Sequence, residues 1–262
     1  MIFLRVAKYL RYILLSRHRM GYGIHSPFVY DLVSRIFRNK MDPDIVSSIE
    51  RRRRSLISDH RTIVVKDLGS GAGKMKSGIR KVSYIAKHSP VTLKYGILLS
   101  NMAAEFGKPL IVEFGTSLGL STMYLASSSW QTPVFTIEGC PSTAEIARQN
   151  FNMMGLVNIR VLQGSFEDKL ADITAMPDKP GLVFIDGNHR KEPVLDYFNK
   201  LAQVSDNKTV IIIDDINYSK EMEEAWSEIK KHEKVSITID IFRMGIVFFR
   251  EGIWPDNYII RY

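Results

Sequence analysis

Apolar positions recur along this chain with two different periods. Over residues 1–20, Phe3, Leu4, Ala7, Leu10, Ile13 and Leu14 fall three or four apart, with Arg5, Lys8 and Arg11 on another face. That spacing predicts an amphipathic helix. Gly21 and Gly23 then mark a turn, and Ser26-Pro27 suits the cap and first position of a second helix over 27–39. From residue 107 the pattern becomes regular. Short apolar runs near 109–114, 133–138, 157–163, 181–186, 208–213, 234–241 and 244–250 alternate with helix-length segments near 119–129, 141–154, 166–175, 192–204 and 219–232. Strands alternating with helices predict a parallel sheet covered on both faces. The end breaks the alternation, because residues 236–249 read as two strands joined by a very short turn. The predicted fold is α/β: a Rossmann-like, doubly wound, seven-stranded sheet with a C-terminal antiparallel hairpin and an N-terminal helical extension. Residues 1–106 form the helical cap region, with a basic loop at 66–88, and residues 107–262 form the sheet domain.

The first sheet strand carries the most informative chemistry. Its apolar run stops at Glu113, and Gly115-Thr116-Ser117-Leu118-Gly119 follows before a helical segment. The second run ends in another acid, Glu138, 19 residues after Gly119. This is the layout of a nucleotide-type cofactor site: glycines let backbone approach a ligand, and the second acid accepts bonds from ribose hydroxyls. The stretch Asp67-Leu68-Gly69-Ser70-Gly71-Ala72-Gly73-Lys74 imitates such a loop after Ile63-Val64-Val65. It is no phosphate loop, since only three residues separate Gly69 from Gly73 and Met75 stands where Ser or Thr is needed. It reads as a flexible basic loop carrying Lys74, Lys76, Arg80, Lys81 and Lys87, either a linker or a flap over a bound acceptor.

Charge separates the two regions. The net charge of +8 lies within residues 1–62, which hold 13 Lys/Arg against 5 Asp/Glu, while residues 63–262 hold 23 of each. A neutral sheet domain argues against a grip on nucleic acid, which places basic residues on the reading domain. Arg51 to Arg54 read as a solvated helix face. The single cysteine, Cys140, excludes a disulfide framework and suits a reducing, cytoplasmic setting. No apolar run reaches the roughly 20 residues of a membrane span, and no signal peptide is read. Peripheral membrane contact through residues 1–20 and a homo-oligomer stay open.

Residues 107–250 resemble a class I S-adenosylmethionine-dependent methyltransferase, and more narrowly the metal-dependent O-methyltransferases that include catechol and sugar O-methyltransferases. The resemblance rests on the glycine motif with Glu138, on two later acidic strand ends and on the terminal hairpin. The phrase Gly23-Ile24-His25-Ser26-Pro27-Phe28-Val29 is also similar to the start of uncharacterised bacterial methyltransferases of this kind. The resemblance implies a cofactor site of Glu113, Gly115, Thr116, Ser117, Gly119, Glu138, Gly164, Ser165, Phe166 and Asp186, with Phe166 at the adenine. It also implies Mg²⁺, or a similar divalent cation, at Asp186, Asp214 and Asp215, which end the fourth and fifth strands. Three converging carboxylates would repel unless such an ion neutralised them. His189, three residues after Asp186, is the expected base, with Lys191 second. The expected activity is methylation of a small hydroxylated acceptor. An RNA-modifying methyltransferase and a non-catalytic cofactor-binding or membrane-surface module remain as alternatives.

Overall fold

The computed structural model describes residues 2–16, 23–66, 78–88 and 91–262, with side chains from Val6 onward. The chain opens with α1 (Ile2–Leu15) and α2 (Pro27–Asp31), and α2 runs on into a π-helical turn over Leu32–Ile36. Ser26 caps α2 by accepting from the Val29 amide at 3.3 Å, with Pro27 at the first helical position. Among the described residues no helix is long and apolar enough to cross a membrane.

Two compact units follow from the backbone contacts: residues 40–188, and residues 1–39 together with 189–262. In the first, α3 (Pro43–Ile57) starts at Asp42, whose carboxylate accepts from the Asp44 amide at 2.8 Å. It carries the four-arginine run, and only part of that run is solvated. Arg51 and Arg54 are exposed, whereas Arg52 donates to Asn150 Oδ1 at 2.7 Å and Arg53 to the Val91 carbonyl at 2.7 Å. Arg53 also pairs with Glu50, which accepts from the Tyr124 hydroxyl at 2.8 Å. The run therefore anchors α3 as well as facing water.

The described part of the expected loop at 66–88 holds regular structure. β1 (Thr62–Val65) pairs antiparallel with β2 (Gly78–Lys81), and α4 (Val82–His88) follows directly. Residues 67–77, which carry Lys74 and Lys76 of the expected basic flap, lie outside the described residues.

The rest of this unit alternates as the periodicity predicts: α5 (Leu93–Phe106), β3 (Ile111–Phe114), α6 (Leu120–Ala126), β4 (Val134–Glu138), α7 (Pro141–Met153), β5 (Ile159–Gln163), α8 (Phe166–Thr174) and β6 (Leu182–Ile185). The strands run parallel in the order β6-β3-β4-β5. Both β3 and β6 are buried at every position, which explains their apolar composition, broken only by Glu113 in β3. Each fully buried Ile, Val or Phe there contributes roughly 1.5–3 kcal/mol. The chain builds outward from β3 to β5 and returns beside β3 as β6. That reversal opens a crevice at the carboxyl ends of β3 and β6.

The second unit contains α9 (Lys191–Val204), β7 (Val210–Ile213), α10 (Lys220–Ile229), β8 (Ile237–Asp240), β9 (Gly245–Phe248) and β10 (Asp256–Ile259), with strand order β10-β8-β9-β7. β9 is antiparallel to both β7 and β8, the expected hairpin, and β10 adds a parallel partner to β8. Among the described residues the two units thus hold four strands each outside the β1-β2 ribbon, eight where seven are expected. α1 packs within this unit through Tyr9 and Tyr12 on Phe242, with ring centroids 5.0 and 5.2 Å away. The Tyr12 hydroxyl also donates to the Ile260 carbonyl at 2.6 Å.

Candidate functional site

At the tip of β3 the chain turns sharply. The amides of Gly115 and Thr116 both donate to the Ile137 carbonyl of β4, at 3.1 and 3.2 Å. Gly115 has φ +108°, and a Cβ there would run into the Asp186 carbonyl. Gly119, at φ +85°, caps α6 where a Cβ would strike the Phe151 ring. These two positions require glycine for conformation and for space. Glu138 braces the same turn: Oε2 accepts from the Ser117 amide at 2.7 Å and Oε1 from the Cys140 amide at 2.8 Å. A carboxylate held by backbone amides in this way is a suitable acceptor for a ligand diol. The Gly164 amide donates to the Glu138 carbonyl at 3.1 Å, and Ser165 caps α8 by accepting from Asp168. Phe166 meets Phe114 edge-on at 5.5 Å, and remains half-buried. Asp186 is tied to β3 by its amide, which donates to the Phe114 carbonyl at 2.8 Å.

Glu113 lies fully buried behind this turn. Its Oε2 accepts from the Thr122 and Thr136 hydroxyls, while Oε1 is buried with no hydrogen-bond partner. Burial pushes its pKa up, and the hydroxyl donors oppose that only in part. Gly115, Thr116, Ser117 and Asp186 line one cleft with Ile85 and Val91. Its volume is about 20 Å³, room for little more than a water. Sequence reasoning missed Thr122, Thr136, Ile85 and Val91. Thr136 pairs in register with Glu113 across the β3-β4 ladder, a relation that spacing alone does not reveal.

In the other unit, β7 ends at Asp214, which is fully buried, and Asp215, which is left-handed at φ +55°. Arg243, in the turn between β8 and β9, grips Asp214 through two nitrogens, Nε to Oδ1 at 2.9 Å and NH2 to Oδ2 at 2.7 Å. Its Nε is also 3.9 Å from Asp215. His189 is half-buried, its ring 6.1 Å from that of Tyr218. Lys191 is ion-paired with Glu228 at 2.7 Å and Glu224 at 3.5 Å. The bond to Glu228 raises its pKa, so it holds its proton. Lys191, the expected second base, thus opens α9 with its ammonium paired to two acids of α10.

Residues 112–216 match the family model described as a methyltransferase domain. This stretch is a class I S-adenosylmethionine-dependent methyltransferase domain. Over 111 residues the chain is 32% identical to O-methyltransferase imqG of Aspergillus flavus, covering 40% of this chain and 44% of that protein. The chain therefore spans under half the length of this curated relative. The methyltransferase fold extends further than the matched stretch. The S-adenosylhomocysteine-bound methyltransferase PaMTH1 of Podospora anserina superposes with a TM-score of 0.60, at 12% identity over 87% of this chain and 98% of that one. An O-methyltransferase from Bacillus cereus in complex with S-adenosylhomocysteine gives 0.55, at 20% identity over 84% of this chain and 97% of that one.

The methyltransferase domain fits its cofactor on its own geometry. A buried, partnerless carboxylate oxygen beside a glycine turn suits the ammonium of the methionine end, and the braced Glu138 suits a ribose. The expected cation fits less well. Among the described residues no group of three or more His, Cys, Asp and Glu side chains is arranged to hold a metal ion. Asp214 in particular gives both oxygens to a guanidinium, so a small ion that demands near-octahedral oxygen ligation would compete with Arg243 for them. The repulsion that called for a divalent ion is met at Asp214 and Asp215 by Arg243.

Proposed function

We propose that this chain is an S-adenosylmethionine-dependent O-methyltransferase acting on a small hydroxylated acceptor. The observation that carries the reading is the linked set of Gly115, Ser117, Glu138 and the partnerless Glu113 Oε1 around one turn. The relative in Aspergillus flavus, an O-methyltransferase by name, supports oxygen as the acceptor atom. Bound S-adenosylmethionine supplies a methyl group on a cationic sulfur; its transfer forms a C–O bond, breaks the S–C bond and leaves a neutral thioether.

The chain's own residues bind, orient and accept the proton. Glu138 receives the ribose hydroxyls, Glu113 the ammonium, and Phe166 packs on the adenine. His189 takes the hydroxyl proton of the acceptor as the C–O bond forms. Alignment of two reactants contributes roughly 7–11 kcal/mol toward the barrier, which makes positioning the main task of the protein. Mg²⁺ assistance has no support in the Asp214 geometry.

Thermal denaturation tests the cofactor half. S-adenosylhomocysteine should raise the melting temperature, as any ligand that binds only the native state does, while a nicotinamide dinucleotide should not. The reverse outcome would sink the reading. Radiolabelled methyl transfer to a panel of phenols, catechols and sugar alcohols tests the acceptor half. With an acceptor in hand, His189→Ala should slow transfer by roughly 10²–10⁴-fold without changing cofactor affinity.

A further inference from the structure

The tip of β7 and the turn between β8 and β9 are built around one another. The Ile216 amide donates to the Arg243 carbonyl at 3.1 Å, and the Asn217 side-chain amide donates to the Phe242 carbonyl at 2.7 Å. Asp240 secures the turn from below by accepting the Phe242 amide at 2.7 Å. Both tips contain a non-glycine residue in the left-handed region, Asp215 at φ +55° and Phe242 at φ +70°. Such conformations persist where surrounding contacts over-determine them. What they hold in place is a guanidinium, only 23% exposed, lying flat against a carboxylate of zero exposure. A planar fork matched to both oxygens of a carboxylate is the geometry at which arginine surpasses any flexible cation.

We propose that Arg243 is a built-in replacement for a divalent cation at Asp214 and Asp215, so that this methyltransferase domain works without metal. The acidic pair at the strand tip keeps its place, and the charge that neutralises it comes from the hairpin turn. Arg243 is here a positioning residue, acting through Asp214 and Asp215. Oxygen ligands select Mg²⁺ or Mn²⁺ when their lone pairs are open to the ion. At Asp214 both oxygens already accept from Nε and NH2 of Arg243. Removing the guanidinium should therefore expose a carboxylate pair and create an ion site that the native chain lacks. The kinetic half of this proposal rests on the methyl-transfer reading, and the binding half does not.

Calorimetric titration with MnCl₂ and the electron paramagnetic resonance of free Mn²⁺ provide the test. The wild-type chain should show no saturable Mn²⁺ site. Arg243→Gln should gain about one, and Asp214→Asn in the Arg243→Gln background should abolish it. Saturable binding by the wild type that disappears in Asp214→Asn overturns the proposal, as does a folded Arg243→Gln that binds no ion. Should Arg243→Gln fail to fold, the wild-type titration still decides. Once an acceptor is known, wild-type turnover should be unchanged by saturating chelator, and a loss of more than tenfold that Mg²⁺ restores overturns the kinetic half. Failure of S-adenosylhomocysteine to bind would instead indict the methyl-transfer reading and leave the Mn²⁺ result standing.

Discussion

Glu113 is the residue whose chemistry departs furthest from that of a free side chain. It is fully buried, and its raised pKa means that the folded chain favours the neutral acid more than the unfolded chain does. The sign follows from proton linkage. Below the ordinary value of 4.5 the carboxyl is protonated in both states and burial costs no charge; as pH rises toward the elevated folded value, the unfolded chain ionises first and stability falls. Glu113→Gln removes that loss. Its melting temperature relative to wild type should climb as pH is raised above 4.5, and a pH-independent difference would refute the assignment. The same variant should bind S-adenosylhomocysteine less tightly, because an amide cannot offer a negative oxygen to an ammonium. Glu138 behaves differently, being half-buried with two backbone amides on it. Glu138→Ala should weaken cofactor binding by about 1.5–3 kcal/mol, the scale of a lost charge-assisted bond. Both acids were legible in the sequence because each ends an apolar run beside a glycine. Arg243 was not, since its partner Asp214 lies 29 residues away and only the hairpin brings them together.

Among the elements, the alternating half of the chain was the readable half. The apolar runs at 109–114 and 181–186 became β3 and β6, buried at every position, and the helical segments became α6 to α10 within a few residues. Strands that are buried on both faces announce themselves by composition alone. What stayed hidden has weaker local signals. β10, Asp256–Ile259, opens on two exposed polar residues, and exists through its pairing with β8. β2 and α4 sit in a stretch where Lys and Gly suggested a loop, and they are held by the β1 ladder and by buried Val82, Ile85 and Ala86. That last point bears on the cofactor cleft. Ile85 and Val91 narrow it to about 20 Å³, far below the several hundred that a nucleoside-sized ligand needs. Ile85 on α4 therefore borders the way to Gly115 and Asp186. Stopped-flow measurement should show faster S-adenosylhomocysteine association for Ile85→Ala than for wild type, alongside a stability loss of about 2–5 kcal/mol. An unchanged association rate would place the entry path elsewhere.

At the scale of the whole chain, the ends meet. Residues 1–39, with seven Lys/Arg and one Asp, group with residues 189–262, so the expected cap region 1–106 contributes to both units. Its first helix is held by a few specific contacts. The Tyr12 hydroxyl donates to the Ile260 carbonyl and accepts from the Tyr262 amide at 2.9 Å, and Arg261 donates to the Ile13 carbonyl at 2.8 Å. Lys8 pairs with Glu223. The opposite face of α1 leaves Val6, Leu10 and Leu14 exposed, so the apolar periodicity that announced the helix is only half used in packing. A helix with so little buried area depends on its directional bonds more than a core helix does. Tyr12→Phe deletes one hydroxyl that serves two backbone groups and leaves the rings on Phe242 untouched. It should lower the urea-unfolding free energy by about 1–3 kcal/mol, the penalty for orphaning a buried polar group. The dependence on urea should stay unchanged, since no further surface is exposed. Trypsin should cut faster after Arg11 in the variant, because α1 frays before the rest of the unit opens. Equal cleavage rates and equal stability would show that α1 is held by apolar contact alone.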